Sequence, residues 1–173
     1  MSRTLSINSI FVGYSICGVI LAFFDLRIVG SSEYANFIST SFPVIESFSI
    51  KSIDPDHWRG YYTAMVTLML AFLPPLWLAC ERERKVVARQ SKILAALLVV
   101  LCLTILWALT HFHDGVDHIH EVDSAHGKLL LLLVMLKYRA GLAVVGTMLM
   151  TGGFVLFFIV AVAAPQALLF QKK

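Results

Sequence analysis

The chain has 173 residues, of which 58% are apolar and only 14% charged, with a mean hydropathy of +0.80 and a formal net charge of +3. Soluble domains run nearer half apolar and a quarter charged, so this is a membrane composition. It excludes a soluble enzyme, a secreted disulfide scaffold, a disordered tail and a nucleic-acid binder that depends on a dense basic surface.

Four runs carry no Asp, Glu, Lys, Arg or His: Leu5 to Phe24, Gly60 to Cys80, Ile93 to Thr110 and Ala140 to Gln171. A bilayer core about 30 Å thick needs about 20 residues rising 1.5 Å each. The runs therefore predict an all-α membrane protein with four transmembrane helices, at about 5–28, 57–80, 93–112 and 138–164. The expected connections are outer loops 29–56 and 113–137 and a basic cytoplasmic loop 81–92, all in a single polytopic domain.

Helix one follows Arg3 as a signal peptide would, but its apolar run is too long for an h-region. No Ala-x-Ala site follows it, and Ile16 before Cys17 spoils a lipoprotein site, so a retained helix is expected. Its Gly18-x-x-x-Ala22 spacing suits close helix packing, and Asp25 with Arg27 forms an expected interfacial pair. The segment 29–56 is polar yet rich in Phe, Ile and Ser, which predicts an ordered cap over the bundle with a short amphipathic helix at the interface.

Asp54-Pro55-Asp56-His57-Trp58 announces the start of helix two: an N-cap acid, a proline suited to the first helical position and a second acid near the positive end of the dipole. Trp58, Tyr61 and Tyr62 then stand where an aromatic belt belongs. Pro74-Pro75 predicts a kink or a loosened inner half. Next comes ERERKVVARQSK, in which Arg82, Arg84, Lys85, Arg89 and Lys92 mark the cytoplasmic side. With an even helix count both termini join it, giving that side eight basic and two acidic residues against six basic and nine acidic on the other.

Lys137 and Arg139 are expected at the outer headgroups before helix four, with 127–136 as a short interfacial or re-entrant helix. A five-span rival that turns at Gly152-Gly153 would bury both cations mid-membrane, at about 2.5–3.5 kcal/mol each, and is disfavoured. Ala143, Thr147 and Thr151 recur every four residues beside Gly146, so this helix suits close packing against helix one or a partner subunit.

The candidate chemistry lies in HFHDGVDHIHEVDSAHG, residues 111–127, which holds five of the six histidines and four carboxylates. The candidate metal ligands are His111, His113, Asp114, Asp117, His118, His120, Glu121 and His126. Imidazole and carboxylate together suit zinc, nickel or copper, and two His-x-His pairs could supply much of a coordination shell. The same residues also suit a solvated hairpin, a loop that docks a partner, or a pH-responsive patch. His111-x-x-x-Gly115-x-Asp117-His118 resembles the His-x-x-x-Gly-x-Asp-His signature of the nickel-transport membrane family of hydrogenase and urease accessory proteins. That eight-residue resemblance implies nickel handling. The family's motif opens a membrane helix, whereas here the polar HEVDSAHGK follows it.

Other membrane chemistries lack their residues. Cys17, Cys80 and Cys102 form no Cys-x-x-Cys, which argues against thiol redox catalysis. No histidine falls mid-membrane, so a b-type haem could be held only by His57 and His111 at the outer helix ends. The charge-free spans carry no acid for an ion relay. The expectation is a non-enzymatic multi-pass protein of a bacterial inner membrane, embedded in the lipid bilayer and acting through helix and loop contacts with another membrane protein or larger complex, with no nucleic-acid partner. In plan it is similar to colicin-immunity and exclusion proteins. The alternative is divalent-metal binding or transport through the 111–126 loop.

Overall fold

The computed structural model describes residues 6–50, 52–82, 99–105 and 138–163, with single helical positions at 96, 107 and 165. Every regular element among the described residues is helical. α1 (Ile7–Leu21) starts at Ser6, whose hydroxyl accepts from Ser9 N–H at 3.2 Å. Three short helices follow: α2 (Arg27–Gly30), α3 (Glu33–Ser41) and α4 (Pro43–Ile50). α5 (Pro55–Arg82) is one uninterrupted helix, and α6 (Arg139–Ala163) is a second, with π-helical turns at Leu142–Gly146 and Ile159–Ala163. Residues 99–105 are also helical. α5 and α6 are the two helices among the described residues that are long and apolar enough to cross a membrane.

α1, α5 and α6 form one core. Tyr14 and Phe154 meet with tilted rings at 4.6 Å, Phe11 meets Phe154 edge-on at 5.2 Å, and Met65, Leu76 and Leu142 belong to the same buried core. Contacts between α1 and α6 pair early residues of one with late residues of the other: Phe11 with Phe158, Ser15 with Thr151, Gly18 with Thr147. Those helices are antiparallel. Between α5 and α6 the pairs advance together, Asp54 with Arg139 and Tyr61 with Thr147, so these two run parallel and start at the same end of the bundle.

Gly18 faces Thr147 so closely that a Cβ would lie 2.8 Å from Met65 Cε and 2.9 Å from Thr147 Cγ2. α1 and α6 thus approach through the small residues that mark them in the sequence. Hydroxyls tie the same seam, Ser15 Oγ with Thr151 Oγ1 at 3.0 Å and Tyr61 Oη with Thr147 Oγ1 at 2.9 Å. Tyr14 Oη donates to Met65 O at 3.1 Å.

Several expectations need correction. The first helix does not run to 28: it stops at Leu21, a turn occupies 22–26, and Arg27–Gly30 forms a separate short helix. At about 22 Å, α1 is shorter than a bilayer core. The break falls where Asp25 interrupts the apolar run and where His57 supplies the turn with new hydrogen-bond partners. The segment 29–56, expected as an outer loop ordered into a cap with one short amphipathic helix, carries α3, α4 and the end of α2, with α3 capped by Ser32 Oγ accepting from Ala35 N–H at 3.1 Å. Trp58, Tyr61 and Tyr62 are buried, not a headgroup belt, because α1, α6 and the short helices cover this end of α5. α5 continues through Pro74 and Pro75 to Arg82, so the prolines remove two amide donors without ending the helix. α6 runs unbroken through Gly152 and Gly153, which leaves no turn there for a five-span arrangement.

Candidate functional site: the polar end of the bundle

The end of α1, the start of α5 and the start of α6 meet at one polar end, capped by α2, α3 and α4. Asp54 organises it. One carboxylate oxygen accepts from His57 N–H at 3.3 Å, as an N-cap does, while the other accepts from Arg27 Nε at 2.8 Å. Arg27 Nη2 lies 2.8 Å and Arg139 Nη2 3.8 Å from that second oxygen. A single carboxylate therefore links α2, α5 and α6. Burial pushes the Asp54 carboxyl up, but the hydrogen bonds from Arg27 and the His57 amide, with the Arg27 charge, hold it below the ordinary aspartate value. Asp25, the expected partner of Arg27, stands at 3.9 Å and is secondary to Asp54.

His57 is fully buried. Its Nε2 lies 3.1 Å from Ala22 O and its Nδ1 accepts from Leu26 N–H at 3.5 Å. An acceptor at Nδ1 makes Nε2 the protonated nitrogen, so the ring is neutral with its N–H on Ala22 O. Both nitrogens are spent on backbone groups.

Below His57 the backbones of α2 and α5 touch. A Cβ on Gly30 would overlap the Asp56 carbonyl, and one on Gly60 would overlap the Leu26 carbonyl. On the other side, Arg59 makes a two-pronged pair with Glu46 on α4, Nε to Oε2 at 3.2 Å and Nη2 to Oε1 at 2.9 Å. That pair borders a shallow depression of about 380 Å³ lined by Asn36, Ser39, Thr40 and Pro43. Tyr34 Oη reaches Thr67 Oγ1 at 3.1 Å on the same side of the cap.

The eight candidate metal ligands, His111, His113, Asp114, Asp117, His118, His120, Glu121 and His126, lie outside the described residues. Among the described residues no group of three or more His, Cys, Asp or Glu is placed to hold a metal ion. What sequence reading missed is the role of His57, Gly30 and Gly60. A histidine three residues after a capping Asp is the only local signal, and its backbone partners are 31 and 35 residues away.

Comparison with known proteins adds no relative: no family model, no curated protein and no solved structure matches the chain.

Proposed function

We propose that this chain is a non-enzymatic, multi-pass membrane protein that acts through helix and loop contacts with another membrane protein, as an accessory subunit or an immunity- or exclusion-type inhibitor. One observation carries the membrane part of this reading. The helices are joined by an inward seam of small, aromatic and hydroxyl-bearing residues, while their outward faces remain apolar and uncovered. Val12, Ile16 and Ile20 on α1, Leu70 and Leu78 on α5, and Val144 and Met148 on α6 are all exposed. Only 33% of the apolar stretch of α5 and 28% of that of α6 is buried within the chain, the reverse of a soluble core helix. Each such side chain left in water forgoes about 1.5–3 kcal/mol, which hydrocarbon would restore.

The parallel pair of α5 and α6 supports the crossing that the four-span reading puts between them. α5 ends at Arg82 at the far end of the bundle and α6 begins at Arg139 at the near end, so a return of the length of α5, about 42 Å, separates the two. In a bilayer such a return is an odd number of crossings, and the charge-free run Ile93–Thr110 is the segment suited to it. The basic segment 81–92 then places the far end, and both termini, in the cytoplasm of a bacterial inner membrane, with the polar end outside. The contact role rests on the polar end: an ordered helical cap, buttressed by ion pairs, presents Phe37, Ile50 and Ile53 exposed, as a docking surface does.

The test is a set of single-cysteine variants in a background lacking Cys17, Cys80 and Cys102, labelled in intact cells with a membrane-impermeant maleimide. Labelling at 36 and 123 but not at 87 or 172 is expected; the opposite sides, or 87 and 123 on one side, would reject the topology. For the contact role, crosslinking through positions 37 and 53 in native membranes should yield one discrete adduct lost on Phe37→Asp. Failure to form any adduct at either position would count against it.

The density of histidine and carboxylate in 111–126 favours a second reading, divalent-metal binding or transport by zinc, nickel or copper. Stoichiometric metal in the purified protein, lost when His113, His118 and His120 are replaced by Ala, would favour this reading over a purely contact role.

A further inference from the structure

The ends of α1 and α2 leave backbone groups without helical partners, as all helix ends do. Ala22 closes α1 with its carbonyl, and Leu26 opens α2 with its amide. One imidazole serves both: His57 Nε2–H donates to Ala22 O at 3.1 Å and His57 Nδ1 accepts from Leu26 N–H at 3.5 Å. This arrangement is specific to a single neutral tautomer. A second proton on the ring would turn Nδ1 into a donor facing another donor, and the Leu26 amide would lose its partner.

We propose that His57 is the latch of an acid-sensitive hinge between α1 and the α2–α4 cap. With the ring neutral, the turn 22–26 is clamped and the glycines of α2 and α5 are held in contact. With the ring protonated, the Leu26 side of the clamp opens and α2 is released from its tight seat on α5. The seat has no slack to absorb a shift: the Leu26 carbonyl that abuts Gly60 belongs to the same residue whose amide the ring holds. Around the ring, the described charged groups are Asp25 in the turn, Arg27 on α2, Asp54 and Asp56 at the start of α5, and Arg139 at the start of α6. Burial of the ring and the Arg139 charge oppose its protonation, and the carboxylates of Asp54 and Asp25 favour it. Asp54 is held below the ordinary aspartate value, so its ion pairs persist as the pH falls toward that value. The hinge rests on hydrogen bonding alone and is independent of the number of spans and of the partner. Its consequence is that acidification on the side of the polar end loosens the cap.

The experiment follows two signals in the full-length protein in lipid nanodiscs between pH 7.5 and 4.5. Nitrogen-15 shifts of the His57 ring read its tautomer and its protonation, and hydrogen exchange at the Leu26 amide, corrected for the intrinsic effect of pH, reads the clamp. The expected result is the Nε2–H tautomer at pH 7.5, and a loss of Leu26 protection of about tenfold that coincides with ring protonation. His57→Gln retains a donor for Ala22 O, His57→Asn retains an acceptor for Leu26 N–H, and neither titrates; both should lack the acid response. An Nδ1–H tautomer at neutral pH, a ring that stays neutral throughout, unchanged Leu26 protection across ring protonation, or an acid response that persists in a folded variant would each overturn the proposal. If both variants fail to fold, the two wild-type signals decide it alone.

Discussion

Gly30 and Gly60 cross with their backbones in contact, so that a methyl group on either would occupy the position of a carbonyl of the opposing segment. The carbonyls belong to Asp56 and Leu26, main-chain atoms that cannot swing away as a flexible side chain would. The contact seats the cap on α5 and depends on the absence of two side chains.

Gly30→Ala and Gly60→Ala should therefore each destabilise the protein by about 1–3 kcal/mol, as overpacking does. Gly152→Ala and Gly153→Ala, whose added Cβ would meet nothing within 4 Å, should leave stability unchanged or slightly raised. Thermal unfolding in detergent, followed by circular dichroism on all four variants, checks both halves of this contrast.

Asp54 separates charge from capping. Asp54→Asn keeps a good N-cap acceptor for the His57 amide but abolishes the ion pairs with Arg27 and Arg139, whereas Asp54→Ala removes both and should cost about 1 kcal/mol for the cap alone. The folded-state pKa is depressed, so the ionised carboxylate stabilises the fold fully above its ordinary value near 3.8 and the contribution fades as pH falls through the lower folded value. Wild type should lose stability along that acid limb, and Asp54→Asn should lack this component. Denaturation midpoints measured from pH 6 down to pH 2.5 provide the check.

Tyr61 and Tyr62 are adjacent and buried, yet their hydroxyls differ. Tyr61 Oη shares a hydrogen bond with Thr147 Oγ1, while Tyr62 Oη has no partner among the described residues. Tyr61→Phe should cost about 0.6 kcal/mol, typical of a hydrogen bond between membrane helices, and Tyr62→Phe should be neutral or stabilising because it removes an unsatisfied hydroxyl. Refolding equilibria of the two variants should differ in sign or in size by at least that amount.

Gly18 tests the seam between α1 and α6. Gly18→Ala drives a methyl group against Thr147 and Met65, and should destabilise by about 1 kcal/mol or more. Thr147→Ala vacates part of that space while losing the Tyr61 bond, so the double variant should be more stable than the sum of the single effects. Additive effects in the double-mutant cycle would contradict the packing described.

The all-helical class, the start of α5 and both long apolar helices are legible in the order of residues. These are local matters: Asp54 and Pro55 shape the first turn wherever the helix sits, and a charge-free run of 20 or more residues is helical in any apolar surrounding, since its backbone polar groups must pair within the segment. The spacing of Gly18 and Thr147 also announced a close approach, because small residues four apart leave a groove. The rest depends on contacts between residues distant in the chain. A break after Leu21 is signalled nearby only by Asp25, and the hydrogen bonds that hold the turn come from His57, 35 residues beyond the Ala22 carbonyl it holds. Likewise nothing around Trp58 distinguishes a belt from a core, and the packing of α1, α6 and the cap settled that Trp58, Tyr61 and Tyr62 are inside. The histidine-rich segment 111–126 stands out by composition alone, for ligand geometry depends on which residues the fold brings together. An opening average of 58% apolar residues has thus been divided into two surfaces: an inward seam defined by contacts distant in the chain, and an outward face that any apolar surrounding can satisfy.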